Sequence, residues 1–380
     1  MSLRVVLAGG GTGGHLFPLV TVAKHLREDL VTKGGTQFLY VGPKGDMERQ
    51  VMENSKIRQK TILTGKLHRY LTSKYFLDIF KMPMGFIQSL WILLWFTPDV
   101  IFAKGGFASV PVVLAAKAYG IPVLIHESDA VPGLANKFLG SIANKVVISF
   151  ERARMYFPPS KTILAGIPIK KEAINGDPEK GREMLGLHKE VKPIIFFIGG
   201  SQGAQVINER VLLILPDLLK RYQIVHQTGS AHYDYVVSEA QRKGFKVGHS
   251  DYYPIAFIGG ELKHIFALAD VVVSRAGATA ISEIAANNKP SILVPITKSA
   301  NDHQRINAYE VSKAGGAMAI EESNFQEHIL LHNLDQITND EEIKRKMREG
   351  IKGFYFPHAT EQIAQELVKL ARKSTAEISD

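Results

Sequence analysis

Apolar residues in the first half of the chain form short unbroken runs, separated by helix-length amphipathic segments. The first run, Val5–Leu7, ends in glycines, and apolar side chains then recur at helical spacing at positions 19, 22, 23 and 26. Unbroken runs are typical of strands buried on both faces of a parallel sheet. Further strands are predicted at Phe38–Val41, Val100–Phe102, Val123–Ile125 and Val146–Ile148. This alternation predicts a doubly wound α/β domain.

The same order of elements restarts in the second half. The run Ile194–Ile198 leads into Gly199-Gly200-Ser201-Gln202-Gly203 and a helix. Later strands are predicted at Ile224–His226, Val271–Val273 and Ile292–Val294. We therefore predict two Rossmann-like domains, residues 1–167 and 168–356, that face each other across a cleft. A last amphipathic helix within residues 357–380 is expected to pack back on the first domain.

Composition limits the classes of site and partner. The 380 residues include no cysteine, which excludes disulfides and thiolate metal sites and suits a reducing cytoplasm. The net charge of +9 lies in the first 168 residues, which hold 20 Lys and Arg against 10 Asp and Glu. Such a basic half suits an anionic substrate or anionic lipid. No nucleic-acid partner is expected, because aromatic residues are not interleaved with glycines as in base-stacking proteins. We expect neither a signal peptide nor a membrane-spanning helix.

The first glycine turn has the G-x-G-x-x-G spacing of dinucleotide-binding folds, at Gly9, Gly11 and Gly14. Such enzymes also carry an acidic residue at the end of the second strand. Here that strand ends Tyr40-Val41-Gly42-Pro43-Lys44, and the first carboxylate is Asp46. This difference counts against an NAD-dependent oxidoreductase. The helix N-termini behind the two glycine turns favour phosphate groups instead.

Two histidines are considered as a general base and as a metal ligand. His15 follows the first turn at the start of a helix, where the helix dipole favours a neutral imidazole and suits a general base. The alternative is a polar residue with no chemical role. His126-Glu127 begins like the zinc motif H-E-x-x-H, but residue 130 is alanine, so no metal is expected.

The segment SRAGATAISE, residues 274–283, is predicted to run from a strand end into a helix. On a helical projection one face carries Ala280, Ile281, Ile284 and Ala285, and the opposite face carries Thr279, Ser282 and Glu283. A polar face of this kind is ordinarily only solvated. Here it begins where open α/β sheets bind ligands, so Glu283 is a candidate to bind a ribose diol.

Five segments in order then resemble one family: GGTGGHLFP (10–18), HESDAVPGLANK (126–137), GGSQGAQVIN (199–208), SRAGATAISE (274–283) and DHQRINA (302–308). The chain resembles the MurG family, the undecaprenyldiphospho-muramoylpentapeptide N-acetylglucosaminyltransferases of inverting glycosyltransferase family 28. The resemblance implies a GT-B fold and transfer of N-acetylglucosamine from UDP-GlcNAc to the muramoyl 4-hydroxyl of lipid I. The acceptor is linked to polyprenyl pyrophosphate, and the product is lipid II for peptidoglycan synthesis. No metal and no other cofactor are implied.

The resemblance also implies roles for individual residues. It brings Thr12, Gly13 and Gly14 to the donor and His15 to the reacting centre. It assigns the pyrophosphate to Ser201, uracil to the Ile258 backbone, the phosphates and ribose to Ala278, Thr279, Ala280, Ile281, Ser282 and Glu283, and the sugar to Gln304. Asn136 and Asn307 lie in the matching segments and are further substrate-binding candidates. Asp129 and Lys170 replace a common Asn and Arg; Asp accepts but does not donate, and Lys offers a point charge instead of a fork.

An inverting transfer needs a base that takes the acceptor proton while UDP departs. His15 is the first candidate, with Glu127 and Asp129 behind it. Arg275 and the helix N-termini are expected to stabilise the departing UDP. The alternatives are another UDP-sugar enzyme of GT-B type, such as a glycolipid transferase or a UDP-GlcNAc epimerase, and a non-enzymatic binder of anionic lipid.

Residues 56–81 suggest where the protein works. They contain Lys56, Arg58, Lys60, Lys66, Arg69, Lys74 and Lys81 against the single acid Asp78. Basic and apolar residues alternate there, as in peripheral membrane segments. The following run, MGFIQSLWILLWF at 84–96, is expected to form mostly a core helix. We therefore predict a peripheral protein whose first domain docks to an anionic membrane surface on the cytoplasmic face.

Overall fold

The chain forms two compact units, each built around one sheet. A computed structural model describes residues 2–28, 35–65, 73–187, 192–200, 203–248, 251–297 and 299–377. Unit 1 comprises residues 1–168 and 357–380, and unit 2 comprises residues 169–356. The predicted Ser201 and the basic residues Lys66 and Arg69 lie outside the described residues.

All neighbouring strands pair in parallel in both sheets. The strands of unit 1 are β1 (Leu3–Ala8), β2 (Thr36–Gly42), β3 (Arg58–Thr61), β4 (Val100–Ala103), β5 (Val123–Glu127), β6 (Lys145–Ile148) and β7 (Thr162–Leu164). Those of unit 2 are β8 (Ile194–Ile198), β9 (Gln223–Gln227), β10 (Tyr252–Ile255), β11 (Val271–Ser274), β12 (Ser291–Leu293) and β13 (Met318–Ala319). The order is β3-β2-β1-β4-β5-β6-β7 in the first sheet and β10-β9-β8-β11-β12-β13 in the second.

Helices connect the strands. They are α1 (Gly13–Glu28), α2 (Asp46–Asn54), α3 (Ser73–Phe96), α4 (Ser109–Ala118), α5 (Leu134–Ile142), α6 (Pro178–Leu185), α7 (Gln205–Arg221), α8 (Tyr233–Arg242), α9 (Leu262–Leu268), α10 (Ala278–Ala286), α11 (His303–Lys313), α12 (Glu327–Asn339), α13 (Glu341–Lys352) and α14 (Ala359–Glu377). Short 3-10 turns lie at Glu151–Tyr156, Pro159–Lys161, Lys171–Ala173, Ala300–Asp302 and Glu322–Asn324. The prediction of two doubly wound α/β units is confirmed.

The strand order reverses at one place in each sheet, between β1 and β4 in unit 1 and between β8 and β11 in unit 2. At these places the strands end level, because Ala8 pairs with Ala103 and Ile198 pairs with Ser274. Open α/β sheets bind ligands beyond the carboxyl ends of the strands at such a switch point. Each unit therefore has one topologically favoured site.

Helix α14 completes the core of unit 1. Its apolar residues Ile363, Ala364 and Leu367 are buried together with β1 and α1 side chains such as Leu7 and Leu19. Their spacing of one and then three residues places them on one helix face. The chain therefore returns to unit 1 after it has built unit 2.

Helix α3 corrects the expectation for residues 84–96. Only its inner side is buried, where Leu93 joins the core shared with α4 and Ser89 is enclosed. Its outer side carries exposed Met84, Ile87, Trp91, Leu94 and Trp95. The prediction of mostly a core helix is wrong, because a run that is apolar all round does not indicate which side is covered. None of the helices in the described ranges is both long and apolar enough to cross a membrane.

We expect Leu367→Ala to lower the free energy of unfolding of unit 1 by about 2–5 kcal/mol, as for other large-to-small core substitutions. Leu367 is fully buried. Native-state hydrogen exchange of the β1 and α1 amides measures this loss, and Gln362→Ala on the exposed side of α14 is the control. An equal loss in the β8 amides, or none in β1, would contradict the assignment of α14 to unit 1.

Candidate functional site

The turn between β1 and α1 is shaped by close packing. Gly10 has a φ of 145°, and a β-carbon built on it would lie 2.7 Å from Cδ of Pro43. Only glycine fits there without displacing the neighbouring chain. The next residue, Gly11, donates its N–H to Oε1 of Glu48 at 2.8 Å. Glu48, which is buried, was not predicted from the sequence, and it holds the turn from α2.

His15 stands at the end of this turn, in the first turn of α1. Its Nδ1 lies 2.9 Å from the carbonyl oxygen of Gly10. Because a carbonyl only accepts, Nδ1 carries the proton and Nε2 is the basic nitrogen of the neutral ring. The ring lies beside the β4–α4 turn: a β-carbon built on Gly106 would be 3.5 Å from Cε1. Thr12 is exposed beside it, Gly13 is buried and Gly14 is half-buried.

Glu127 ends β5 as a buried carboxylate with two partners. Its Oε1 accepts the N–H of Asp129 at 2.9 Å, and its Oε2 accepts Nδ2 of Asn136 at 2.9 Å. Burial and the nearby Asp129 charge raise the pKa of Glu127 to about 7. Asn136 is 5% exposed, so its amide orients Glu127 and is largely hidden from a ligand. This arrangement favours a positioning role for Glu127 over the catalytic role expected from the sequence.

Lys104 is the cation of this cluster, and the sequence analysis did not find it. It directly follows β4, is 1% exposed, and donates from Nζ to Oγ of Ser128 at 2.6 Å. Burial lowers the pKa of Lys104 to about 8, against the charges of Glu127 and Asp129. One signal was present in the sequence: a lysine ends a buried apolar run and precedes two glycines.

The second glycine turn, after β8, packs against the end of β9. A β-carbon on Gly203, whose φ is 78°, would lie 2.0 Å from the carbonyl oxygen of Thr228. The buried Gln227 donates to the carbonyl of Gly200 and accepts the N–H of Ile258, both at 3.1 Å. Gln227, missed in the sequence, thus fixes the turn and the predicted uracil-binding segment relative to each other.

Arg275 directly follows β11 and is mostly buried. Its NH2 lies 2.6 Å from Oε1 of Glu322, and NH1 donates to the carbonyl of Val294 at 3.2 Å. Glu322 also accepts the N–H of Thr297 at 3.0 Å. These contacts of NH1 and NH2 hold the segment before α11 against β11, whereas the buried Nε has no hydrogen-bond partner among the described residues. The expected contact of Arg275 with UDP stays a prediction.

The structure revises the two faces assigned to α10. Ala278 and Ser282 are 5% exposed, and Ile281 is fully buried. Thr279, Ala280 and Glu283 are half-buried. The covered face of α10 therefore includes Ser282, which the helical projection had placed on the polar face. Ser282 consequently presents little surface to a ligand, whereas Thr279 and Glu283 remain accessible.

Glu283 is a carboxyl group of unit 2 with a raised pKa. Burial raises the pKa of its carboxyl to about 7, and the charge of Lys170 acts in the opposite direction. Lys170 itself is exposed. The charges of these two predicted residues therefore act on each other, with Glu283 placed in the middle of α10.

The segment DHQRINA separates into an accessible and a buried part. Oε1 of Gln304 accepts the N–H of Ile296 at 3.2 Å in an exposed loop. Asn307 is fully buried, and its Nδ2 donates to the carbonyl of Ala276 at 3.2 Å. Asn307 thus supports the turn before α10, and its expected substrate contact stays a prediction. In the described part of the chain, no three His, Asp or Glu side chains gather as a metal site requires.

Both halves of the chain match models of one family. The glycosyltransferase family 28 N-terminal domain matches residues 5–148, and the family 28 C-terminal domain matches residues 194–363. The chain belongs to glycosyltransferase family 28. The two family 28 domains carry the β1 and β8 glycine turns, one in each match.

Named relatives agree with this membership in family 28. A protein of Lachnoclostridium phytofermentans is 39% identical over 89% of this chain and 91% of its own length. It is named UDP-N-acetylglucosamine–N-acetylmuramyl-(pentapeptide) pyrophosphoryl-undecaprenol N-acetylglucosamine transferase. The crystal structure of Acinetobacter baumannii MurG matches with a TM-score of 0.73 and 25% identity, over 97% of this chain and 99% of that one. UDP-GlcNAc 2-epimerase from Neisseria meningitidis, bound to UDP-GlcNAc, shares the fold alone, with a TM-score of 0.67 and 12% identity over 97% and 100% of the chains.

We expect Glu283→Gln to remove a pH-dependent loss of stability in unit 2. Because the folded pKa is raised to about 7 from an ordinary 4.5, wild-type stability falls as pH rises through this window. As pH rises from 4.5 to 8, the free energy of unfolding of the variant should increase by roughly 1–3 kcal/mol relative to that of the wild type. Urea unfolding at the two pH values measures the difference. Glu209→Gln, at an exposed site of α7, is the control, and an identical pH trend in wild type and Glu283→Gln would contradict the prediction.

Proposed function

We propose that this family 28 enzyme transfers N-acetylglucosamine from UDP-GlcNAc to the 4-hydroxyl of the muramoyl unit of lipid I. The product is lipid II, and the configuration at the anomeric carbon inverts. The observation that carries the proposal is that both family 28 domains match a chain whose switch points each bear a glycine turn and a helix N-terminus. The names of the relatives supply the substrate pair.

Unit 2 is the proposed donor site. Backbone N–H groups at the Gly200 turn and at the N-terminus of α10 suit the two phosphates of UDP. Glu283 accepts the ribose hydroxyls, with Lys170 beside it to favour the ionised carboxylate. Gln227 fixes Ile258 for the base. Burial makes the carboxylate a stronger acceptor for sugar hydroxyls than it is in water.

Unit 1 is the proposed acceptor site and supplies the base. Nε2 of His15 takes the proton of the muramoyl hydroxyl as its oxygen bonds to the anomeric carbon. The bond from that carbon to UDP breaks, and UDP leaves with the electron pair. The hydrogen bond from Nδ1 to Gly10 holds the imidazole in the required tautomer and stabilises the imidazolium that forms.

Incubation with labelled UDP-GlcNAc and a soluble lipid I analogue tests the reaction. One UDP should be released for each disaccharide formed, with a β linkage to the muramoyl 4-oxygen. Formation of UDP-N-acetylmannosamine without acceptor would indicate an epimerase instead. Neither product, with UDP-GlcNAc still bound, would reject the proposal.

We also propose that α3 docks the enzyme to an anionic membrane on the cytoplasmic face, where the UDP-sugar and the lipid acceptor meet. The exposed side chains of α3 form an apolar stripe, defined as Met84, Ile87, Trp91, Leu94 and Trp95. Aromatic side chains of this kind favour the membrane interface. The basic residues Lys56, Arg58 and Lys60 are exposed at or beside the edge strand β3 and supply positive charge in unit 1. In this proposal the apolar contact is made C-terminal to residues 56–81, the segment expected from the sequence.

We expect His15→Ala to lower kcat roughly 100- to 10,000-fold, as for loss of a general base. The affinity for UDP should stay unchanged, because UDP binds unit 2 in this proposal. Steady-state kinetics and calorimetry measure the two quantities. His25→Ala, on the same helix, is the matched control, and wild-type turnover of His15→Ala would assign the base elsewhere.

We expect Leu94→Asp to weaken binding to anionic vesicles, because it places a charge within the apolar stripe. The only tryptophans of the chain, Trp91 and Trp95, lie in that stripe, so a blue shift of their fluorescence reports insertion directly. Leu213→Asp, on an equally exposed leucine of unit 2, is the matched control. An unchanged blue shift in Leu94→Asp, or an equal loss in Leu213→Asp, would contradict docking through α3.

A further inference from the structure

Two cations occupy the same topological position in the two units. Lys104 directly follows β4 and Arg275 directly follows β11, and each of these strands lies across the switch point from the first strand of its unit. Both side chains are largely enclosed, and both interact with carboxylates contributed by later segments. In unit 2 the pair fastens the segment before α11. Lys104 occupies the equivalent position in unit 1, so we ask which segment it fastens there.

Lys104 and Glu127 hold the two residues that follow β5, Ser128 and Asp129. Nζ of Lys104 donates to Oγ of Ser128 at 2.6 Å, and Oε1 of Glu127 accepts the N–H of Asp129 at 2.9 Å. Asn136 holds the other oxygen of Glu127. The backbone of Lys104 is itself fixed, because its N–H donates to the carbonyl of Ala8 at 2.8 Å. The segment 127–129 is therefore anchored to the centre of the sheet.

The ammonium of Lys104 offsets the repulsion between two neighbouring carboxylates. Glu127 and Asp129 lie two residues apart, and the charge of Asp129 raises the pKa of Glu127, whereas that of Lys104 lowers it. Burial of an ammonium is costly, and an apolar side chain of similar volume would fill this space without that cost. The cation therefore offsets a repulsion that would otherwise move the two carboxylates apart or protonate one of them.

We propose that Lys104 is a positioning residue for the acceptor sugar: its ammonium holds segment 127–129 so that the Asp129 carboxylate accepts a hydroxyl of the muramoyl unit. This inference rests on the proposed function. Asp129 is half-buried and lies beyond the carboxyl end of β5, at the same edge of the sheet as His15. Lys104 thus acts through Asp129 and Glu127, without contact to the reacting atoms.

Lys104→Met tests this role, because it keeps the volume and removes the charge. We expect kcat/KM for a soluble lipid I analogue to fall about 100-fold, the effect of misplacing a substrate-binding group. The affinity for UDP-GlcNAc should not change. The acid limb of the pH–rate profile should move up by about one pH unit, because the pKa of Glu127 rises when its cation is lost while Asp129 remains. The pKa of the neighbouring His126 shifts in the same direction, because the Lys104 charge lowers it in the wild type. Lys145→Met, at the amino end of β6 and so at the end of the strands opposite to Lys104, is the control.

Ser128→Ala keeps the experiment decisive if Lys104→Met fails to fold. It removes only the hydroxyl that Lys104 contacts, so we expect a severalfold higher KM for the acceptor and an unmoved acid limb. Wild-type acceptor kinetics in Lys104→Met, or equal effects in Lys145→Met, would overturn the inference. If only Ser128→Ala folds, an unchanged KM for the acceptor in that variant would overturn the inference. A wild-type enzyme that forms no disaccharide would instead overturn the proposed function.

Discussion

Neither sheet leaves room for a β-carbon where the chain turns beyond its first strand. At Gly10 that carbon would meet Pro43 at 2.7 Å, and at Gly203 it would meet the Thr228 carbonyl oxygen at 2.0 Å. Because the backbone packs this closely, each turn brings the N-terminus of the next helix to the switch point. The position of His15 in unit 1 and the position of the glycine turn after β8 in unit 2 both follow from that contact. A larger residue at either glycine would displace the turn and everything that it carries.

The two units apply one architecture to two kinds of chemistry. Each places a cation directly after the strand across the switch point, but the carboxylates around it differ. Unit 1 surrounds Lys104 with the segment 127–129 and adds an imidazole. Unit 2 pairs Arg275 with Glu322 and leaves Glu283 with a pKa near 7 at the accessible side of α10. The first arrangement suits proton transfer to and from an alcohol, and the second suits recognition of a nucleotide.

The sequence predicts the elements well and the partners poorly. Unbroken apolar runs located the central strands, since both of their faces are covered by helices. The polar edge strand β3 and the two-residue β13 carry no such signal. The covered side of α3 and the buried Ser282 depend on which element packs against them, which no local pattern reveals. The partners Glu48 of Gly11 and Glu322 of Arg275 are likewise distant in the chain, so only tertiary structure brings them together.

In the proposed function, unit 2 binds the donor nucleotide and unit 1 binds the acceptor. Hydrogen exchange measured with each ligand alone tests this division most directly. UDP should protect amides in unit 2, at the turn after β8, around Ile258 and in the first turn of α10. A soluble lipid I analogue should protect unit 1, at residues 126–137 and around His15. Protection of the unit 1 segments by UDP alone, or of the unit 2 segments by the acceptor analogue alone, would contradict the account.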